Sequence, residues 1–245
     1  MRRVLPFLFV LLGTTACGGG PDGDVELAVL ADSSLSDAMT EISDAYAQSH
    51  PGVTLEVTVG GSQELSAQVR KGRPGADVIA VADTRTLDDI GKYVEGRTVI
   101  ARNYLTIAVA PGNPRRVRGL SSLAGRRLRV VLGTDAGPIG RDSLLALRKA
   151  GVTVKPSSEE IDVRSVLGRV RNGEADAGLV YITDMKSAGA AASSVAIPAA
   201  QNVTAVYPAA TVRKSEHRKE AAAFVTWLAS PEGTALLRKY GLQSP

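Results

Sequence analysis

The chain has 245 residues, of which 44% are hydrophobic and only 4% aromatic, so it can bury the core of one large domain or of two lobes of ordinary size. Its net charge of +4 is small, and its basic residues are scattered with few aromatic residues between them, which argues against nucleic acid as a partner. Arg2 and Arg3 lie in a segment that we expect to be removed, which leaves the mature chain two positive charges fewer. The composition therefore indicates a globular protein without a nucleic-acid-binding surface.

The N-terminus has the pattern of a secretory signal. A basic start is followed by an apolar run over residues 4–12, which is too short to span a bilayer. Small residues then lead to Cys17, the only cysteine, and three glycines follow it. This arrangement resembles a bacterial lipoprotein signal, although Thr14 stands where leucine is usual. We predict a signal peptide at residues 1–16, a lipidated Cys17 with a flexible tether over residues 17–24, and a protein anchored outside the cell membrane by lipid.

Strands and helices alternate through the first part of the mature chain. Strands are predicted at residues 25–30, 53–59 and 76–81, and helices at 35–46, from Ser62 onward, and at 83–90. Ser33 or Ser34 opens the first helix and Ser62 opens the second, after Gly60 and Gly61 break the strand. Such a junction aims free N–H groups, the positive end of a helix dipole and a hydroxyl at one point. The repeated device predicts an anion pocket, unless Ser62 only caps its helix.

A second lobe is predicted to begin at the apolar strand of residues 104–110. Its further elements are a short helix at 120–123, a strand at 129–132, a glycine-rich turn at 133–140, helices at 144–149 and 163–170, a strand at 177–181, and an exposed turn or frayed helix at 188–194. Residues 202–210 form a strand that returns to the first lobe, where two closing helices follow. We predict that residues 25–103 and 204–245 form lobe I and that residues 104–203 form lobe II.

Several blocks of this sequence resemble the molybdate-binding proteins of ABC importers. The blocks are residues 31–39, Gly61-Ser62 with Leu65 and Gln68-Val69, residues 75–78, Ala82-Asp83, and residues 162–164 leading to residues 173–184. The resemblance implies an α/β, two-lobed periplasmic-binding-protein fold of type II, in which each lobe is a mixed sheet flanked by helices and the ligand lies in the cleft. It also implies a monomer without a cofactor that binds molybdate or tungstate and passes it to the membrane permease of an ABC importer.

The resemblance also assigns the residues that would hold the oxyanion. In that family uncharged donors form the binding shell, and the matching positions here are Ser34, Ser62, Ile139, Val163 and Tyr181. The serines would offer hydroxyl and backbone N–H groups, Ile139 and Val163 a backbone N–H, and Tyr181 its hydroxyl. The family usually has Pro-Ala-Gly where this chain has Pro138-Ile139-Gly140. Neutral donors and helix ends can satisfy a dianion without a counter-cation, and the metal would be bound only as the molybdate oxyanion.

Asp32 departs from the family pattern, which usually has a small apolar residue two positions before the first serine. A carboxylate aimed into the site would repel a fully ionised oxyanion but would accept a proton from hydrogen phosphate. We expect instead that Asp32 points to solvent or caps a neighbouring turn. A sulfate or phosphate receptor remains the alternative within this class.

The sequence gives little support to two other classes of protein. A serine hydrolase would need a general base, yet the only histidines are His50, beside a helix-ending Pro-Gly, and His217, in a charged surface run. We therefore predict that the protein is not an enzyme. The sensing half of a transcription regulator would need a DNA-binding segment, for which the sequence gives no indication.

Overall fold

The computed structural model describes residues 24–245, in which strands and helices alternate as an α/β chain. The strands are β1 Val25–Asp32, β2 Val53–Gly60, β3 Ala76–Ala80, β4 Val94–Val109, β5 Val130–Gly133, β6 Ser158–Glu160, β7 Ala177–Tyr181, β8 Ser193–Ala196 and β9 Thr204–Val212. The helices are α1 Ser36–Ser49, α2 Ser62–Arg70, α3 Thr84–Asp88, α4 Pro138–Lys149, α5 Val163–Arg171, α6 Ile182–Ala188, α7 Arg218–Leu228 and α8 Pro231–Lys239. Short 3-10 helices occur at Ser33–Leu35, Gly91–Tyr93, Leu120–Ala124 and Gly189–Ala191. Within these residues no helix is both long and apolar enough to cross a bilayer.

The strands form a mixed sheet in the order β2-β1-β3-β9-β4-β7-β5-β6, and β8 also pairs with β4. Parallel pairs lie towards both ends of this order, whereas β9, β7 and β8 run antiparallel to β4. The 16-residue strand β4 joins the two halves, because it pairs with β9 as far as Tyr104 and with β7 from Leu105 onward. The division into lobes at residues 103/104 and 203/204 stays a prediction.

Predominantly apolar runs explain the buried strands. Every residue of β3 and of β7 is buried, as expected for strands that helices cover on both faces. Helix α1 buries one stripe, Ala38, Met39, Ile42 and Tyr46, at helical spacing. The Tyr46 ring meets the edges of two aromatic residues of α7, which places the closing helices against the same core.

Several segments differ from the sequence-based expectation, among them the short strand β6, which the sequence analysis does not predict. Strand β4 begins at Val94, whereas the sequence predicted a start at residue 104. The prediction missed the first half of the strand because exposed polar residues interrupt its apolar ones. Helix α4 begins at Pro138, since proline is well suited to the first helical position, so the predicted turn at 133–140 is too long. The predicted exposed turn at 188–194 contains the end of α6, the 3-10 turn and the first two residues of β8, an element that the small, polar sequence does not indicate.

Candidate functional site

A small cavity lies where the two halves of the sheet meet, and three helices begin at its wall. Its lining includes the N-terminal residues of α2, α4 and α5, the tyrosine that ends β7 and a carboxylate from the end of β1; these are Ser62, Ile139, Val163, Tyr181 and Asp32. Four of the five residues that the resemblance assigned to the oxyanion therefore line one cavity. Ser34 is not among the lining residues but binds the Asp32 carboxylate behind them.

Local sequence explains why each helix presents a free donor here. Gly61 and Asp162 are the N-caps of α2 and α5, so Ser62 and Val163 carry the first N–H groups of those helices. In α4 the first helical residue is Pro138, which has no N–H, and Ile139 supplies the first donor. N–H groups in the first turn have no acceptor within their own helix, and the helix dipole makes this end positive. The three helix ends therefore contribute free donors and positive potential to this cavity.

Asp32 occupies the centre of the hydrogen bonding at this site. Its side chain is only 4% exposed. One carboxylate oxygen accepts from the N–H of Ser34 at 3.0 Å and from its hydroxyl at 2.7 Å, and the other accepts from the Ser62 hydroxyl at 2.5 Å. The expectation that Asp32 points to solvent is wrong, because β1 continues two residues further than predicted and buries the carboxylate. The other half of the expectation, that Asp32 caps a neighbouring turn, is confirmed, because its carboxylate accepts from the Ser34 N–H and caps the 3-10 turn.

The interpretation of Ser62 as a helix cap is also wrong. Gly61 holds the cap position, and no side-chain cap bond is made at this helix. The Ser62 hydroxyl is fully buried, donates to Asp32 and accepts from the backbone N–H of Ala82 at 3.0 Å. The signal that places Ser62 at a helix start is local, whereas the partners of its hydroxyl come from two other strand ends.

Tyr181 is held by a second carboxylate that the sequence did not single out. Its hydroxyl donates to Asp142 of α4 at 3.0 Å, and its ring meets the edge of the Tyr207 ring at 6.1 Å between centroids. The Tyr207 hydroxyl lies 2.8 Å from the Ser34 hydroxyl and accepts from Asn103. All of these partners are distant in sequence from one another, and no pattern along the chain indicates the contacts.

Burial is the main influence on the pKa values of three acidic groups near the cavity, Asp32, Asp142 and Asp184. It raises the pKa of Asp32, against the lowering effect of the hydrogen bonds from Ser62 and Ser34. It raises the pKa of Asp142 to about 6 and that of Asp184, at the start of α6, to about 7. None of the ion pairs within residues 24–245 includes Asp32. The carboxylate at the centre of the site therefore has hydroxyl and N–H donors but no cationic partner.

Polar contacts join the two halves of the molecule on either side of the cavity. The Gln63 amide donates to the carbonyl of Ile161. Arg141 of α4 binds the carboxylate of Asp83 at 3.0 Å from its Nε atom. Arg164 of α5 reaches the carbonyl of Ser33 at 3.2 Å, and its guanidinium also pairs with Asp37 of α1 at 3.0 Å. α2, α4 and α5 thus each take part in a contact between the two halves.

The remaining predicted residues lie elsewhere. His50 stacks on Tyr46 with 4.0 Å between ring centroids, and His217 precedes α7, while both candidate serine hydroxyls bind Asp32 instead of a histidine. No group of three or more metal-ligating His, Cys, Asp or Glu side chains occurs in the part of the chain that the structure describes. Cys17 and the predicted signal peptide lie outside the described residues.

Comparison with known proteins adds independent information. Residues 27–243 match the family described as bacterial extracellular solute-binding protein. The molybdate-binding protein ModA of Mycobacterium tuberculosis is 32% identical over 248 residues, which cover 96% of this chain and 95% of that protein. Two solved structures share the fold, each with a TM-score of 0.77 over 89% of this chain. They are the periplasmic molybdate-binding protein of Azotobacter vinelandii, at 20% identity and 99% of its length, and the sulfate-binding protein SubI of M. tuberculosis, at 19% identity and 86% of its length.

Proposed function

We propose that this chain, which belongs to the bacterial extracellular solute-binding protein family, captures molybdate outside the cytoplasm and delivers it to the membrane permease of an ABC importer. The two-lobed type II periplasmic-binding-protein fold supports this role, since its cleft is where such proteins take their ligand. Tungstate has nearly the same size and charge as molybdate, so it should bind as well.

The observation that carries this proposal is the meeting of three helix N-termini at one cavity. The first N–H groups of α2, α4 and α5 belong to Ser62, Ile139 and Val163, and the three residues line the same wall. Donors fixed in this way suit a tetrahedral dianion, because they supply hydrogen bonds and positive potential without a bound cation. Each hydrogen bond to a charged ligand contributes about 1.5–3 kcal/mol, so several together offset desolvation and closure. Tyr181 and Ser34 complete the proposed shell.

The likeness to ModA supports molybdate as the ligand. ModA is named as a molybdate-binding protein and is similar to this chain along nearly the whole length of both. The sulfate-binding protein SubI shares the fold, however, so the fold by itself does not select among tetrahedral oxyanions. The choice of molybdate thus rests on the sequence relationship, and a titration must test it.

Asp32 favours a second candidate, a receptor for a protonated oxyanion such as hydrogen phosphate. Its buried carboxylate faces the cavity and has no cationic partner among the described residues. A hydrogen phosphate ion would bring the proton that lets this carboxylate accept a hydrogen bond from the ligand. Phosphate therefore belongs in every titration beside molybdate.

The site geometry supports binding by closure of two lobes. Ser62 follows β2, whereas Ile139, Val163 and Tyr181 come from elements around β5 and β7 on the other half of the sheet. No single half supplies the whole shell. We infer that ligand entry requires the halves to separate by a hinge motion where β4 and the segment before β9 cross between the proposed lobes.

The remaining parts of the proposal concern location and activity. A lipid on Cys17 would keep the receptor beside its permease, and the tether of residues 17–24 would leave both lobes free to move. The receptor acts as a monomer and performs no chemistry on the ligand, since the candidate serines lack a histidine partner. The molybdate ion is cargo, and no cofactor takes part.

Isothermal titration calorimetry of the purified protein tests the ligand. Molybdate and tungstate should bind tightly with one ion per chain, and sulfate should bind far more weakly. Tight binding of phosphate with weak binding of molybdate would support the second candidate. Tight binding of sulfate alone, or no heat with any of the four anions, would contradict the proposal.

A further inference from the structure

We propose that Asp32 makes oxyanion capture proton-linked, so that one proton enters the cleft with each molybdate ion and stays on the Asp32 carboxyl group. This inference rests on the proposed function, because the oxyanion must enter the cavity that Asp32 lines. It goes further, since it assigns to one residue the pH dependence of capture.

The geometry shows a competition for donors. The Ser34 and Ser62 hydroxyls, both assigned to the oxyanion, donate to the Asp32 carboxylate at 2.7 and 2.5 Å. A serine hydroxyl has a single proton, so it can serve the carboxylate or the oxyanion but not both. In this structure Asp32 therefore takes the place of the anion for these two donors.

Capture of a dianion would leave Asp32 in an unfavourable state. Once both hydroxyls turn to the ligand, the Ser34 N–H is the last of the present donors to the carboxylate, and the resemblance assigns that N–H to the oxyanion as well. A buried carboxylate that loses its hydrogen bonds beside a second negative charge is strongly destabilised. Protonation removes this charge.

No neighbouring group of Asp32 among the described residues supplies a positive charge that would balance its carboxylate. The titratable groups that face Asp32 are Asp162 at the N-cap of α5, Asp184 on α6, Tyr181 on β7 and Tyr207 on β9, which are acidic or uncharged. Arg164, on the helix that Asp162 caps, pairs instead with Asp37 and Asp184. Burial already raises the pKa of Asp32, so this carboxyl group is closer to protonation than an exposed aspartate.

The proton balance is simple. One proton from solvent adds to a carboxylate oxygen of Asp32, and no bond of the molybdate ion breaks. The resulting O–H donates to a ligand oxygen or to the oxygen of a serine whose own proton has turned to the ligand. The ligand thereby gains a donor where it would otherwise meet a negative charge.

Asp142 is a second carboxylate near the site, and any proton uptake by it must be distinguished from uptake by Asp32. It accepts the Tyr181 hydroxyl at 3.0 Å, and it would also lose its donor if that hydroxyl turned to the ligand. Asp142 is partly exposed and also lines a large outer cavity, so water can replace the lost hydrogen bond there. A variant at Asp142 therefore shows how much of any proton uptake belongs to Asp32.

Calorimetric titration with molybdate in two buffers of different ionisation enthalpy counts the protons. For the unmodified protein we expect uptake of about one proton per ion at pH 8. The affinity should fall about tenfold for each pH unit above the range in which Asp32 of the ligand-free protein loses its proton. Asp32→Asn should abolish the uptake and the pH dependence, and so should bind molybdate more tightly than the unmodified protein at pH 8. Asp142→Asn should keep the uptake. Asp44→Asn, at an exposed position on α1, is the matched control and should behave as the unmodified protein.

The outcomes distinguish a failure of the role proposed for Asp32 from a failure of the proposed function. Molybdate binding without proton uptake and without pH dependence would overturn the role of Asp32 while leaving the proposed function in place. Uptake that disappears in Asp142→Asn but persists in Asp32→Asn would also overturn it. Absence of molybdate binding in the unmodified protein would overturn the proposed function itself. If Asp32→Asn fails to fold, the proton count of the unmodified protein and of Asp142→Asn decides.

Discussion

The N–H group of Val163 can be removed without breaking the helix that carries it. Val163 is the first residue of α5, a position where proline is tolerated because the N–H has no intrahelical acceptor. Asp162, the residue before it, is extended, with φ −144° and ψ 166°, which a following proline permits. Val163→Pro should therefore keep α5 and delete one proposed ligand donor.

The expected magnitudes follow from the surroundings of Val163. Its side chain is only 2% exposed, and Val163→Ala, which keeps the N–H, should lower the free energy of unfolding by roughly 2 kcal/mol through lost burial. Val163→Pro should lower stability by a similar amount. Loss of one hydrogen bond to a charged ligand, about 1.5–3 kcal/mol, should then weaken molybdate binding by about tenfold to a hundredfold relative to Val163→Ala.

Two measurements on each variant test this reasoning. Thermal unfolding without ligand shows whether the helix survives, and calorimetry with molybdate gives the dissociation constant. Equal affinities of Val163→Pro and Val163→Ala, with both variants folded, would refute the assignment of this N–H to the oxyanion. A loss of affinity in both would instead trace the effect to side-chain packing.

Four further predictions concern other parts of the molecule. Tyr181→Phe should weaken molybdate binding by about tenfold to a hundredfold in calorimetry, whereas Tyr46→Phe, at a buried tyrosine outside the cavity, should not. Molybdate should lower the radius of gyration in small-angle scattering, and Arg141→Ala, which loses a contact between the two halves, should need more molybdate for the same change. Burial raises the pKa of Asp142 to about 6, so between pH 4 and 6 the folded state holds a proton there that the unfolded state has released. The free energy of unfolding should therefore fall by up to about 3 kcal/mol as the pH rises through this range. The melting temperature of Asp142→Asn should fall less between pH 4 and 7 than that of the unmodified protein. Cys17→Ser should move the protein from the membrane fraction to the soluble fraction of fractionated cells without changing its affinity for molybdate, and a form that stays with the membrane would contradict the lipid anchor.

Local signals were sufficient to predict the starts of two of the three site helices. Glycine after a strand indicates the start of α2, and aspartate before an apolar stripe indicates that of α5, whereas α4 starts at Pro138 and was predicted to start at residue 144. The sequence therefore placed Ser62 and Val163 correctly at their helix starts. Gly140 illustrates the same local constraint, because a Cβ atom there would lie 1.9 Å from the carbonyl oxygen of Thr134.

The interior of the site could not be predicted in this way. Asp32 meets Ser62 over a separation of 30 residues, and the Ser34 hydroxyl meets Tyr207 over 173. Such contacts depend on the register of neighbouring strands, which hydrophobic periodicity does not specify across the sheet. The two extra residues of β1, which bury Asp32, follow from pairing with β2 as far as Gly60. The role of a carboxylate in this site is therefore a property of the tertiary structure.

Backbone and side-chain donors in the proposed site differ in whether they already have an acceptor. The Ser34, Ser62 and Tyr181 hydroxyls are already bonded to carboxylates, whereas the first N–H groups of α2, α4 and α5 have no acceptor in their own helices. The backbone donors can attract any oxyanion of suitable size, because their positions do not change with pH. The hydroxyls become available only when a carboxylate gives them up, and that exchange depends on where protons reside. Selection between a fully ionised oxyanion and a protonated one would then be decided at Asp32, and it would shift with the pH outside the cell.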